Sequence, residues 1–396
     1  MRLFLFAMCL FIQTAFASTP QSLKKVAYGG LDCSGLPAVT TVTNGRVYAW
    51  CSDGQDEDAF VRVFDPISGN TLLDWQPKPN HYQCKDFYAP MTNRNNGFMA
   101  YSCVSEDWKS YAVAIRSISS GDSTDTVVPV GTFWAFINNG NQFISGNNGA
   151  LYINDVANNQ VSTRPFAQFN SDVKFVSVVN SGRGIVVQAD SHLYYYDAVS
   201  FQQKWQYTLP NTTKPADRFW IGIAGGSRYV VLAYRTDLFG TYELVTIDQS
   251  NGTSVARNEW KYDPQHSDQM IVAEPSSIEV SDDESIISMH RNGLPHGMYI
   301  FDTNKLKLIY QNQDSYDQPA NFSFDPSSKT IIGYYVSKTA KTVGIHDILN
   351  GSDTALTFDD SSVSDRQVEL YQLPYMLDAN HLLSAGFGGW TTYLLH

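Results

Sequence analysis

The sequence predicts an all-β fold built from repeated four-stranded units, and three observations support this prediction. A strand, an acidic turn and a second strand follow one another at residues 60–76, and weaker copies of this pattern recur along most of the chain. The copies lie 38 to 54 residues apart, which is near the length of one blade of a β-propeller. No stretch shows the 3.6-residue apolar period of a long helix.

Six aspartates mark the turns, and a degenerate copy lies near Ser117. In each copy β-branched and aromatic residues precede the aspartate, and a second apolar strand follows it. We expect each aspartate to accept backbone N–H groups within its own turn. Three copies continue to a tryptophan, which we expect to pack between blades. The turn residues are Asp65, Asp155, Asp197, Asp248, Asp302 and Asp347, and the tryptophans are Trp75, Trp205 and Trp260.

The last residues predict how the ring of blades closes. Three strands are expected at residues 369–373, 381–387 and 391–396, and the sequence then stops where an outer strand is due. A strand at residues 23–29 precedes the first unit, and it can complete the last blade and remove an open sheet edge. Eight four-stranded blades are therefore expected. Seven blades are the alternative, if residues 77–150 hold one blade with insertions.

The first residues predict a secreted protein. A basic start, a short apolar run and the sequence Ala15-Phe16-Ala17 are typical of a signal peptide, which we place at residues 1–17 ahead of a single propeller domain at 18–396. The chain has 27 Lys and Arg against 39 Asp and Glu, a net charge of −12. Nucleic acid and anionic membranes repel such a chain, so neither is expected as a partner. We also expect the protein to be a monomer.

Cysteines and sequons agree with that compartment. Cys33 and Cys51 are 18 residues apart, Cys84 and Cys103 are 19 apart, and the two pairs are offset by about one repeat. This spacing predicts the disulfides Cys33–Cys51 and Cys84–Cys103 in successive units. N-glycosylation in a eukaryotic secretory pathway is predicted at four sequons. They begin at Asn211, Asn251, Asn321 and Asn350.

The repeats resemble those of the quinoprotein-like propellers, which carry pyrroloquinoline-quinone-type repeats. The shared pattern is a strand, an Asp turn with Ser or Gly, a second strand and a Trp, as at residues 60–75 and 242–260. The resemblance implies a propeller fold. It does not imply the quinone, because the sequence lacks the adjacent Cys-Cys pair of quinone-dependent alcohol dehydrogenases. The full tryptophan pattern is also missing from several units, and no cofactor is predicted.

The candidate binding residues lie on loops at the end of the blades opposite the acidic turns, which is also the end where the predicted disulfides lie. Carboxylates and aromatic rings around a central depression would suit a cation or a sugar. Plain solvated loops are the alternative in so acidic a chain. The candidates are Asp56, Glu57, Asp58, Glu106, Asp107, Trp108, Arg235, Asp237, His296 and Trp390.

No catalytic or metal motif stands out. Residues 53–58 superficially resemble a calcium loop but lack the ligand spacing of an EF-hand, so Ca²⁺ is only a minor alternative. His290 and His296 could form half of a metal site with no third ligand, so no metal is predicted. We expect a binding module for a protein or carbohydrate ligand. The alternative is a quinoprotein-like oxidoreductase or a hydrolase, which would gather titratable groups with perturbed pKa values in the central funnel.

Overall fold

The computed structural model describes residues 21–30, 39–43, 45–51, 60–75, 82–83, 91–92, 98–117, 125–157, 160–209, 222–235, 241–261, 274–292, 297–313, 322–336, 341–358, 373–378, 380–386 and 389–395. Regular structure in these residues is β-strand, apart from two single 3-10 turns at Asn138–Gly140 and Asn180–Gly182. The prediction of an all-β fold is confirmed. No helix in this part of the chain is long and apolar enough to span a membrane. The predicted leader at residues 1–17 lies outside the described residues.

Strands are numbered in chain order. Those of the first half are β1 (Gln21–Gly30), β2 (Val39–Thr43), β3 (Arg46–Cys51), β4 (Phe60–Phe64), β5 (Thr71–Trp75), β6 (Tyr82–Gln83), β7 (Met91–Thr92), β8 (Phe98–Ser105), β9 (Tyr111–Ser117), β10 (Thr126–Val128), β11 (Thr132–Ile137), β12 (Gln142–Asn147), β13 (Ala150–Ala157), β14 (Gln160–Gln168), β15 (Phe175–Val179), β16 (Gly184–Ala189), β17 (His192–Asp197) and β18 (Gln203–Thr208).

Those of the second half are β19 (Gly222–Gly225), β20 (Tyr229–Arg235), β21 (Thr241–Asp248), β22 (Ser254–Lys261), β23 (Glu274–Val280), β24 (Ile286–Asn292), β25 (Gly297–Asp302), β26 (Leu308–Gln313), β27 (Phe322–Asp325), β28 (Thr330–Val336), β29 (Lys341–Asp347), β30 (Ser352–Phe358), β31 (Leu373–Asp378), β32 (His381–Gly386) and β33 (Gly389–Leu395).

Within the described ranges the strands pair into seven sheets, of which six have four or five strands and one has eight. We number the six smaller sheets and the two halves of the large one as blades 1 to 8 in chain order. Blade 1 is β2–β5, blade 2 is β6–β10, and blades 3 to 7 take four strands each from β11 to β30. Blade 8 is β31–β33 together with β1. In blade 2 the innermost position is split, since β6 and β7 both pair with β8. The first strands of neighbouring blades contact one another, so they are the innermost strands.

The N-terminal strand β1 joins the two ends of the chain. It pairs antiparallel with β33, from Leu23 with Leu395 to Gly30 with Gly389. The predicted closure of the last blade is therefore confirmed. Its inner strand β31 lies later in the sequence than predicted, since it begins at Leu373, the last residue of the strand expected at 369–373. β1 also pairs in parallel with β30 of blade 7. Leu23 is fully buried between these two blades.

The same kind of hydrogen bond joins several pairs of neighbouring blades, and its acceptor is a backbone carbonyl in an outer turn. At four interfaces of the described chain, a side chain of one blade donates to the carbonyl oxygen of the residue just after the turn aspartate of the next. Such bonds fix how neighbouring blades are oriented. The pairs are Thr392 Oγ1 with Pro66 O at 2.5 Å, Asn138 Nδ2 with Ala198 O at 3.0 Å, Trp205 Nε1 with Gln249 O at 2.7 Å, and Thr246 Oγ1 with Thr303 O at 3.1 Å.

The turn aspartates have the predicted structural role. Oδ1 of each one accepts backbone N–H groups two or three residues further along, as at Asp65, Asp197, Asp248, Asp302 and Asp347. The prediction is wrong at Asp155. There β13 continues to Ala157, so Asp155 pairs with Ser162 in the ladder and its carboxylate lies 3.6 Å from the Arg164 guanidinium.

Two acidic residues in the turn between β23 and β24 tie blade 6 to both neighbours. The buried carboxylate of Glu284 accepts the Ser227 hydroxyl at 2.6 Å and the backbone N–H groups of Arg228 and Tyr229 at 2.9 and 3.1 Å, all from blade 5. Asp283 forms an ion pair with Lys329 of blade 7. The ring is therefore held by polar contacts as well as by apolar packing.

Candidate functional site

The two ends of the blades differ in how their polar groups are used. We call the end with the turns between third and fourth strands the turn rim, and the opposite end the loop rim. On the turn rim the carboxylates are already bonded within their turns. Backbone N–H groups of Ser68 and Ser200, for example, lower the pKa values of Asp65 and Asp197. These bonds give the carboxylates a structural role, as expected for the turn rim, and the predicted binding residues lie on the loop rim.

The described residues include only some of the predicted site. Glu106, Asp107 and Trp108 lie together on the exposed connection between β8 and β9. Arg235 is the last residue of β20, and its side chain is not described. Five candidates lie outside the described residues, as do Cys33, Cys84 and the sequons at Asn211 and Asn321. These five are Asp56, Glu57, Asp58, Asp237 and His296.

The prediction that Trp390 lies on an exposed rim loop is wrong. Trp390 belongs to β33 and is 2% exposed. Its ring lies 5.4 Å from that of Phe64 in blade 1, and its indole packs against Gly29 of β1 with no room for a Cβ at that glycine. Both covering residues are more than 300 positions away in the sequence, so the local Gly-Gly-Trp pattern resembled a loop.

The loop carrying Trp108 is a tight hairpin connection held by its own hydrogen bonds. The N–H of Trp108 donates to the carbonyl of Ser105 at 2.8 Å, and the N–H of Ser110 donates to Ser105 Oγ at 2.9 Å. Ser105 Oγ in turn donates to Asp107 Oδ1 at 2.6 Å. This hydroxyl bond, followed by the N–H of Lys109, lowers the pKa of Asp107, so the loop presents a carboxylate beside the indole.

Trp108 has an unfavourable backbone conformation. Its φ is 60°, in the left-handed region that suits glycine or asparagine, and its side chain is 52% exposed. For a bulky L-residue this conformation costs about 1–2 kcal/mol. Trp108 therefore combines backbone strain with an exposed ring, and strain of this kind makes it a candidate for a contact residue.

The corresponding hairpins of the next two blades are shorter. Blade 3 turns on Asn148 and Gly149, and blade 4 turns on Asp190 and Ser191, all at positive φ. Two-residue connections of this kind keep close to the sheet ends. The connection in blade 2 has five residues, 106–110, and therefore extends further than those of the next two blades.

Cys103 lies on β8, three residues before this loop begins. It is 2% exposed and disulfide-bonded. The predicted partner, Cys84, is not among the described residues, so the pairing of the four cysteines stays a prediction. A covalent link at the base of β8 would restrain the loop that carries Trp108.

A second candidate, which the sequence did not suggest, lies on the inner strands of blades 6 and 8. Burial raises the pKa of Glu279 on β23, and the charge of Asp325 adds to the effect. Burial also raises the pKa of Tyr375 on β31 to about 12, with the charge of Glu279 contributing. Glu279 nevertheless keeps solvent contact. A carboxylate that is desolvated yet exposed fits the wall of a narrow channel.

The chemical groups of the loop around Trp108 can be compared with those that a ligand would contact. The loop around Trp108 offers an aromatic face, a carboxylate and the Lys109 ammonium, 3.3 Å from Asp107. Groups of this kind can contact a protein side chain or a sugar ring. Among the described residues, no three His, Cys, Asp or Glu side chains are grouped so as to hold a metal ion.

Comparison with solved structures shows the fold. The Dos1 propeller is similar with a TM-score of 0.60 and 10% identity over 94% of this chain and 95% of that one. BamB from Moraxella catarrhalis is similar with a TM-score of 0.54 and 12% identity over 94% and 99%. The dihydro-heme d1 dehydrogenase NirN gives a TM-score of 0.54 and 12% identity over 82% and 66%. No protein family and no curated sequence matches the chain. The propeller fold that the resemblance implied is confirmed.

Proposed function

We propose that this β-propeller is a secreted, glycosylated and monomeric binding module, and that its partner docks on the loop rim with Trp108 as the central contact. The observation that supports this most strongly is the strained and half-exposed Trp108. Tryptophan is enriched among residues that dominate binding energy. The partner is a protein or a carbohydrate. Neither a nucleic acid nor a membrane surface is proposed, because the net charge of −12 repels both.

Several features of this proposal rest on sequence patterns. Residues 1–17 direct secretion, and the disulfides Cys33–Cys51 and Cys84–Cys103 form in the oxidising compartment. The buried and bonded state of Cys103 agrees with the second pair. No cofactor takes part in the proposed binding, and Ca²⁺ at residues 53–58 is the minor alternative.

The test is a binding comparison with the full secreted chain. Wild type, Trp108→Ala and Val199→Ala are screened against a glycan array and against extracellular proteins by crosslinking. Val199 is a matched control, since it is apolar and 71% exposed but lies on the turn rim. The proposal is supported if Trp108→Ala lowers the affinity for a partner by about 30-fold or more while Val199→Ala leaves that affinity unchanged. Equal loss with both variants, or equal retention, would contradict it.

An enzyme of quinoprotein-like oxidoreductase or hydrolase type is the second candidate, and the raised pKa values of Glu279 and Tyr375 favour it. Purified protein is assayed for turnover of a redox dye and of ester and glycoside substrates. Activity that Glu279→Gln removes would favour this candidate over the binding module. Activity that survives this substitution would remove the channel site from consideration.

A further inference from the structure

We propose that Asn251 carries an N-linked glycan whereas Asn350 is mostly left unmodified, because hydrogen bonds in two matching turns make only the first amide nitrogen available. The inference rests on the proposed entry into the secretory pathway. It goes further by distinguishing sequons that are equivalent in sequence.

The two sequons occupy the same place in two blades. Asn251 lies in the turn from Asp248 to Thr253 of blade 5, and Asn350 lies in the turn from Asp347 to Ser352 of blade 7. In both turns the glycine N–H donates to the aspartate carbonyl at 2.8 Å. Both asparagines are solvent-exposed. Position and exposure therefore do not separate them.

The side-chain amide of Asn251 is oriented by its own sequon. Its Oδ1 accepts the backbone N–H of Thr253 at 2.8 Å and the Thr253 hydroxyl at 2.7 Å. The carboxylate of Asp248 is occupied by Ser250, whose N–H and hydroxyl both donate to Oδ1. Within the described residues nothing accepts from Nδ2 of Asn251, so this nitrogen faces solvent.

The side-chain amide of Asn350 forms a hydrogen bond within its own turn. Its Nδ2 donates to Asp347 Oδ2 at 2.7 Å, and its backbone N–H donates to Oδ1 of the same carboxylate at 3.0 Å. The residue that corresponds to Ser250 is Leu349, whose N–H donates to Oδ1 of Asp347 and whose side chain has no donor. A bond to an ionised carboxylate is stronger than one between neutral groups.

Glycan transfer needs that nitrogen. Nδ2 attacks the anomeric carbon of a lipid-linked oligosaccharide diphosphate, so an N–C bond forms and the bond from that carbon to the diphosphate oxygen breaks. The diphosphate leaves with the electron pair, and the amide nitrogen loses one proton. At Asn350 the bond to Asp347 must break first. Each turn spans six residues, so its bonds can form locally before the ring closes.

The test measures glycan occupancy by mass spectrometry of glycopeptides from the full chain, expressed in a eukaryotic secretory host. We expect occupancy at Asn350 to be at least about threefold below that at Asn251, as the loss of one hydrogen bond implies. Asp347→Ala should raise the ratio of modified to unmodified Asn350 by about threefold or more.

Ser352→Thr with Asp347 retained is the control for the different sequon hydroxyls. Equal occupancy at both sites in wild type, an ineffective Asp347→Ala, or equalisation by Ser352→Thr alone would overturn the inference. The chain is expressed both with its own residues 1–17 and with a heterologous leader. Secretion only with the heterologous leader contradicts the proposed compartment, while the ratio between the two sites still tests the inference.

Discussion

Trp205 of blade 4 donates from its indole nitrogen to the carbonyl oxygen of Gln249 in blade 5, at 2.7 Å. The ring is stacked on Tyr195, with centroids 5.0 Å apart and planes inclined by 7°. On the other side it contacts Gly252, where an added Cβ would lie 2.7 Å from Trp205 Cγ. One side chain thus fixes the distance and the angle between two blades. This confirms the predicted packing role at Trp205, whereas the side chains of Trp75 and Trp260 are not described.

Replacing Trp205 by Phe should destabilise the fold. Phe keeps the stacking on Tyr195 but leaves the carbonyl of Gln249 without its donor, at a cost of about 1–2 kcal/mol in free energy of unfolding. Urea unfolding followed by circular dichroism measures the change. Trp108→Phe, at an exposed position, should leave stability within about 0.5 kcal/mol. Equal effects of the two changes would show that the bond to Gln249 does not contribute.

Gly252→Ala and Gly351→Ala form a matched pair. Both glycines have positive φ, 75° and 61°, in equivalent turns. At Gly351 no atom of the described residues lies within 4 Å of an added Cβ, whereas at Gly252 the Cβ would overlap Trp205. Gly351→Ala should cost about 1 kcal/mol from backbone strain alone. Gly252→Ala should cost at least about 1 kcal/mol more. Thermal unfolding of both variants gives the difference, and similar midpoints would contradict the close approach.

Glu284→Gln should reduce both stability and its dependence on pH. Burial acts to raise the pKa of Glu284, but hydrogen bonds from Ser227, Arg228 and Tyr229 outweigh it, and the pKa is lowered below the ordinary 4.5. The group therefore contributes stability above pH 4.5, and this contribution is lost as the pH falls through the lower folded-state value. Glutamine replaces one acceptor oxygen with an N–H donor, so Glu284→Gln should lower the free energy of unfolding by about 1.5–3 kcal/mol at neutral pH.

Urea midpoints of wild type and Glu284→Gln between pH 3 and pH 7 test this. The two curves should converge towards low pH, because protonated glutamic acid and glutamine then differ little. The turn aspartates titrate in both proteins, so the difference between the curves isolates Glu284. A difference that stays constant down to pH 3 would rule out the titration of this carboxylate as the cause.

Trp108→Asn should stabilise the fold relative to Trp108→Ala by about 0.5–1 kcal/mol. Both variants remove the indole, but asparagine tolerates the φ of 60° better than alanine does. Chemical denaturation of the pair measures the strain held at this position. If alanine were as stable as asparagine, Trp108 would not be strained, and the main support for its binding role would be lost.

Local patterns predicted much of the fold, because an acidic turn is completed within six residues. Asp65 and Asp248 were identifiable since their N–H partners follow directly in the sequence. Asp155 was misassigned because a strand that continues past an aspartate looks the same locally. The contact of Glu284 with residues 227–229 had no local signal, since its two halves lie about 55 residues apart.

The site was predictable only where exposure follows from loop position. Glu106, Asp107 and Trp108 were correctly placed on an exposed loop, because short hairpin connections lie at the surface. The burial of Trp390 depends on β1 and blade 1, which meet it only once the ring is closed. The raised pKa values of Glu279 and Tyr375 depend on how close strands of different blades lie to one another, and no spacing in the sequence reveals this.

Pairing between β1 and β33 brings together strands from opposite ends of the described chain, and Thr392 reaches Pro66 across 326 positions. Contacts of such long range slow folding. Until they form, β1 presents an unpaired edge, and Lys24 and Lys25 give it the charge that discourages association with other chains. A chain that lacked either strand would leave the last blade open.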